Sequence, residues 1–167
     1  MATKCNNARA KTLTHSLVVT IAAITVCAAP VLANPVSKLP GRWTGWGKVT
    51  LVSGAVERVK CVATYFVKNK GVNVRQNLRC ANSSYKIDTT ADYTINGQTV
   101  TGNWEERVHA NTGTVQGKLT SKGFNLAVSA QTFSATLTMT TGKCSQSLSF
   151  APTNLDVTRI SVGLRKC

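Results

Sequence analysis

Acidic side chains are scarce in this chain. Six Asp and Glu stand against 20 Lys and Arg, giving a formal charge of +14 over 167 residues. The first acid is Glu57, so everything before it is neutral or basic. Histidine is almost missing: His15 lies in the leader described next, which leaves His109 by itself. No C-x-x-C spacing occurs, so neither cysteine nor histidine supplies the clustered donors a metal centre needs. No serine sits in a Gly-x-Ser-x-Gly elbow. Glu105 and Glu106 are adjacent, and on a strand adjacent residues point to opposite faces, so they cannot work as a carboxylate pair on one substrate. Nothing after residue 33 sustains a 3.6-residue apolar period, which removes helical cover from the possible architectures. These absences argue against catalysis and give no reason to expect a metal or cofactor.

What is present begins with a leader. Lys4, Arg9 and Lys11 precede an apolar run from Leu17 to Ala29, followed by Pro30-Val31-Leu32-Ala33. Basic, apolar and small-residue regions in that order read as a secretory signal peptide, residues 1–33, cut after Ala33. The competing reading is an uncleaved anchor, against which stand the shortness of the run and Pro30 at its end. Loss of the leader removes three basic residues and leaves 17 against six acids, a charge of +11 on residues 34–167. It also removes Cys5 and Cys27 and leaves Cys61, Cys80, Cys144 and Cys167. Four cysteines in an exported chain imply two disulfides, and hence a periplasmic or extracellular setting.

The stretch Glu57–Cys80 selects their connectivity. Two alternating runs flank Asn69-Lys70-Gly71. A two-residue turn at Lys70-Gly71 sets Val67 against Val74, Tyr65 against Gln76, Ala63 against Leu78 and Cys61 against Cys80. That pairing leaves Cys144 for Cys167. In this count Cys61 and Cys80 occupy a hydrogen-bonded pair, about 5.5 Å apart at Cα, within disulfide reach. The inward face holds Val59, Cys61, Ala63, Tyr65, Val67, Val72, Val74, Leu78 and Cys80.

The rest is more of the same pattern. Asn34 to Pro40 reads as a mobile polar lead. Gly41 to Leu51 is a first strand. Tyr85 to Ile95 alternates and turns at Asn96-Gly97, which pairs Tyr93 with Val100, Thr89 with Trp104 and Ile87 with Glu106. Trp104 then falls opposite Gly117. Further inward sets are Phe124, Leu126, Val128 and Ala130; Phe133, Ala135, Leu137 and Met139; and Cys144, Gln146, Leu148 and Phe150. In the last strand the apolar phase changes from odd (Leu155, Val157) to even (Ile160, Val162), as a bulge or longer loop would make it. The expected fold is all-β: an antiparallel up-and-down meander of nine or ten strands in one domain, residues 34–167, closing into a barrel that leaves no edges.

Gly41-Arg42-Trp43 on the first strand, with Arg165 in Gly163-Leu164-Arg165-Lys166 on the last, resembles the calycin barrels, the lipocalin and avidin-like group. The resemblance implies that the arginine packs over the tryptophan and closes the barrel bottom. The chain departs from lipocalins in lacking a C-terminal helix, and its cysteine pattern is its own. No avidin-type set of biotin-contacting residues can be mapped onto it.

Two constellations remain as candidate sites. Tyr65, Gln76, Tyr85, Tyr93, Trp104 and Glu106, with Trp43, point inward; aromatic walls with a few polar groups suit a small, partly apolar ligand in the barrel. Glu106 is a ligand contact in that reading; otherwise it is a rim carboxylate satisfied by Tyr85 or Arg107, or a one-residue bulge turns it outward, while Trp43 and Trp104 read as core plugs ahead of ligand contacts. Arg58, Lys60, Arg75 and Arg79 share the outer face of adjoining strands. They would suit an anionic lipid surface or envelope polysaccharide, or serve only as a solvated face. Phe66 alone is interleaved with these charges, too little aromatic surface for a nucleic-acid partner. The expectation is an exported, non-catalytic binding protein, with its oligomeric state open.

Overall fold

A computed structural model describes residues 34–167; the expected leader, residues 1–33, lies outside the described residues. Ten antiparallel strands follow one another: β1 (Gly41–Leu51), β2 (Val56–Lys68), β3 (Asn73–Ala81), β4 (Lys86–Asn96), β5 (Thr99–Glu106), β6 (Asn111–Leu119), β7 (Gly123–Ala130), β8 (Ser134–Thr141), β9 (Ser145–Pro152) and β10 (Val157–Arg165). Each pairs with its sequence neighbours, and β1 pairs with β10, so the meander closes into a barrel without a free edge. Alternation is the cause. Along β7, Phe124, Leu126 and Val128 are buried while Asn125, Ala127 and Ser129 are exposed, and the other strands keep a comparable period of two.

The first hairpin has the expected register: Val67 opposes Val74, Tyr65 opposes Gln76, and Cys61 opposes Cys80. Its turn is longer than two residues. The ladder ends at Lys68 and Asn73, and Asn69 to Val72 form the loop, with Asn69 and Lys70 both at positive φ. That extra length changes which pairs exchange hydrogen bonds. The Cα atoms of Cys61 and Cys80 lie 4.1 Å apart, the close spacing of a non-hydrogen-bonded pair rather than the expected wider one. Val72 sits in this loop and is exposed, not inward. The second disulfide joins Cys144 to Cys167 at 5.2 Å between Cα atoms.

The β4–β5 hairpin is displaced by two residues from the expected pairing. Asn96 opposes Thr99, so the loop is Gly97-Gln98, with the glycine at φ +59° in the first loop position. A glycine there suits a two-residue connection as well as the Asn-Gly placement does. Tyr93 therefore faces Gly102, Ala91 faces Trp104, and Thr89 faces Glu106. A slip of two preserves parity, so every inward residue stays inward. Trp104 opposes Gly113 instead of Gly117. A methyl group on Gly113 would lie 2.8 Å from the Trp104 Nε1 and 1.8 Å from the Ser129 carbonyl oxygen; only glycine leaves that space.

The phase change in the last strand is a bulge. Thr50 opposes Arg159 and Leu51 opposes Val157, which leaves Thr158 as the extra residue. Its hydroxyl donates to the Thr50 carbonyl. Val162 and Leu164 are thereby brought into the core.

The lead is ordered, contrary to expectation. Pro35–Lys38 form one 3₁₀ turn capped by Asn34, whose side chain accepts from the Val36 N–H. Val36 and Leu39 are fully buried. The segment closes one end of the barrel: the Trp43 indole N–H donates to the Leu39 carbonyl at 2.8 Å. The cation over Trp43 is Lys166, its Nζ 4.7 Å from the ring centroid, and not Arg165, which opposes Thr44 and is exposed. Lys166 also donates to the carbonyls of Lys38 and Pro40, so one ammonium pins the lead and covers the tryptophan.

Candidate ligand cavity

Parity sends many aromatic side chains inward, but height along the barrel decides what they do. At the closed end Trp43 and Tyr65 are packed into the plug. The Tyr65 hydroxyl donates to Gln146 Oε1 at 2.9 Å, and Gln146 Nε2 donates to the Thr141 hydroxyl at 3.1 Å. Burial, then the neighbouring Tyr93, push the Tyr65 hydroxyl well above its ordinary pKa, so it keeps the proton it donates. This chain of three satisfied groups is a floor and leaves nothing directed at a ligand.

Above it lies a cavity of about 450 Å³, within the range of small-molecule sites. Of the expected site residues, Gln76, Tyr85, Tyr93, Trp104 and Glu106 line it, whereas Trp43 and Tyr65 do not. The wall that inward parity alone did not single out is Phe133 and Phe150. Trp104 packs against Phe133 at 5.7 Å between centroids, and Phe133 meets Phe150 edge-on at 6.3 Å. Their recurrence on the inward phase of the β8 and β9 segments was the available signal. The cavity continues past Ile87, Leu137 and Ile160 to a mouth bordered by His109, Asn111, Leu155 and Asp156. The residues at the mouth sit in loops or at strand ends, where alternation gives no guidance.

Two polar groups decide the chemistry of the interior. Tyr93, stacked near Phe124, donates its hydroxyl to Gln76 Oε1 at 2.8 Å. Burial, then Asp92, push its pKa upward, so it too stays protonated. Glu106 behaves differently from a free ligand contact. Its Oε1 accepts from the Asp88 and Val108 N–H groups at 3.1 and 3.0 Å. Its Oε2 accepts from the His109 N–H at 2.7 Å and lies 2.9 Å from the His109 Nδ1. Burial raises the carboxyl pKa, but the three backbone donors and the imidazole outweigh it and hold the group below its ordinary value. The carboxylate thus organises the β5–β6 turn that shapes the mouth.

The outer face is less uniformly cationic than the run of arginines implies. Arg75 makes a bidentate pair with Asp92, at 2.7 and 2.8 Å, and Arg79 reaches Asp88 at 3.2 Å. The β4 acids fall directly opposite the β3 arginines in the register, so mutual repulsion among the arginines is largely compensated there. Arg58 and Lys60 have no carboxylate partner among the described residues. They lie beside Trp46 of β1, which opposes Lys60, is 51% exposed, and carries the Arg58 guanidinium 4.3 Å from its ring centroid.

No protein-family model matches the sequence, and no curated protein matches it. Solved structures match its fold. The S-type phycobiliprotein lyase from Guillardia theta superposes with a TM-score of 0.57 over 79% of this chain and 90% of that one, at 8% sequence identity. Likeness at that identity establishes the fold: a calycin-like barrel, in agreement with the Gly-x-Trp opening.

Proposed function

We propose that this chain is an exported, non-catalytic binding protein that holds one small, largely apolar molecule inside the barrel. The observation that carries the reading is the cavity of about 450 Å³ walled by Trp104, Phe133, Phe150, Tyr85 and Tyr93. A barrel built only for stability fills its interior with side chains; here that filling stops at the Tyr65–Gln146 floor. The order of charges and apolar residues in 1–33 and the two disulfides support export. Absence of catalysis rests on the engagement of Glu106 with its own turn. The lyase with the shared fold bears on architecture and not on chemistry.

The test is titration with the neutral fluorophore N-phenyl-1-naphthylamine. The expected result is saturable enhancement with one site per chain, weakened at least tenfold by Ala91→Phe, which places a ring in the cavity beside Trp104. Absence of saturable binding, or binding unchanged in Ala91→Phe, contradicts the reading.

A second reading is favoured by Arg58 and Lys60 around the half-exposed Trp46. In it this outer patch holds the protein to an anionic lipid or polysaccharide surface. It requires binding to phosphatidylglycerol vesicles or an acidic polysaccharide that weakens with salt and falls severalfold in Arg58→Gln/Lys60→Gln. Arg75→Gln/Arg79→Gln should have a smaller effect, because those charges are already paired. Equal effects of the two double variants contradict it.

A further inference from the structure

We infer that the ligand is a molecule with an apolar body, no negative charge inside the barrel, and one hydrogen-bond acceptor that meets the side-chain Nε2 group of Gln76. The inference rests on the cavity reading above and specifies its chemistry.

The first observation concerns charge. Of the 17 Lys and Arg among the described residues, none lines the cavity. The lining carboxylates are Glu106 and Asp156, and the lining imidazole is His109, all toward the mouth. A carboxylate or phosphate brought inside would leave water for an apolar space with no cation to meet it, and would pass two carboxylates on the way. A cationic group fares no better deep inside, because Glu106 already accepts from three backbone N–H groups and faces an imidazole nitrogen. The interior therefore selects uncharged chemistry.

The second observation concerns Gln76. It is 5% exposed and lines the cavity. The protonated Tyr93 hydroxyl has no other acceptor among the described residues, so it fixes the amide with Oε1 toward the tyrosine. That places Nε2 on the far side, where it has no protein acceptor among the described residues. Nε2 keeps accessible surface toward the cavity and is not sealed off, so a ligand that covers it leaves a costly unpaired donor unless it brings a carbonyl or ether oxygen. Gln76 sits beside the Tyr65–Gln146 floor, since Tyr65 is its cross-strand partner. The acceptor is thus at the inner end of the ligand, with the apolar body extending along Trp104, Phe133 and Phe150 toward the mouth.

The experiment displaces N-phenyl-1-naphthylamine with three chains of similar length: methyl decanoate, undecane and undecanoate. In the wild-type protein the ester should compete at least tenfold better than the carboxylate. In Gln76→Leu, or in Gln76→Met should the leucine variant fail to fold, the ester should weaken about three- to tenfold, as loss of one hydrogen bond implies, while undecane holds or tightens. A carboxylate that competes as well as the ester overturns the inference, as does an equal effect of the variant on ester and alkane. Failure of the fluorophore to bind at all is a separate outcome: it removes the cavity reading, and this inference with it.

Discussion

Glu106 shows how a single residue can hold a turn in shape at the mouth of a cavity. Its carboxylate gathers three backbone donors, two from the turn that follows it and one from Asp88 across the ladder. Glu106→Gln keeps the shape but replaces one acceptor oxygen by a donor, so we expect a loss of about 1.5–3 kcal/mol at neutral pH, the range for hydrogen bonds to a charged group. The pH dependence has a definite sign. The folded-state pKa lies below the ordinary carboxyl value, so the stabilisation is complete above the unfolded value of about 4.3 and is lost as pH falls through the folded value. Urea unfolding at pH 7 and pH 3 should show a gap between wild type and variant that narrows in acid; a constant gap contradicts the assignment. Gly113 makes a second residue-scale prediction. Gly113→Ala must displace both the Ser129 carbonyl and the Trp104 indole, costing about 1–3 kcal/mol as overpacking does. Tryptophan fluorescence should change with it.

At the scale of elements, strand parity was legible and axial position was not. Alternation with turn residues located Cys61 opposite Cys80 and the inward sets, because one face of each strand is buried and a one-residue error would invert all of it. A two-residue slip inverts nothing, so the sequence did not distinguish the two placements of the β4–β5 turn. Nor does parity report height. Trp43, Tyr65 and Trp104 alike read as inward, yet Trp43 and Tyr65 belong to the plug and Trp104 to the cavity, a difference set by strand tilt and by which end the lead covers. The lead itself was hidden by its polar residues and prolines, although Val36 and Leu39, three apart with Pro35 before them, are the pattern of one buried 3₁₀ turn. The bulge in β10 offers a direct check. Deleting Thr158 removes the extra residue and leaves Val157, Ile160, Val162 and Leu164 on one phase, so this variant should fold. Deleting Ser147 from β9 sets Gln146 out of phase with Leu148 and Phe150 and should prevent folding. Circular dichroism of the two deletions distinguishes them, and equal behaviour contradicts the register.

For the molecule as a whole, closure concentrates stability in a continuous ladder and leaves the two ends to differ. One end is sealed by the lead, Trp43 and Lys166; the other opens between the β5–β6 turn and the β9–β10 loop. The disulfides act on both halves. Cys61–Cys80 spans β2 and β3, with Cys80 at the cavity wall, and Cys144–Cys167 ties the chain end to the start of β9. Replacing Cys61 and Cys80 together by alanine should cost about 3 kcal/mol for a loop of this length, read as a lower urea midpoint with the barrel's far-ultraviolet spectrum retained. Among the described residues, lysine and arginine stay off the cavity lining, which keeps the proposed neutral-ligand cavity apart from any contact with anionic surfaces.

The measurement that bears most directly on the central claim is native mass spectrometry of the oxidised protein, isolated without detergent or organic solvent. The account predicts a population one small molecule heavier than the polypeptide, released on mild activation, with that adduct lost in Ala91→Phe. A bare polypeptide mass, together with a crystal structure in which side chains fill the space between Gln76 and Phe150, would contradict it.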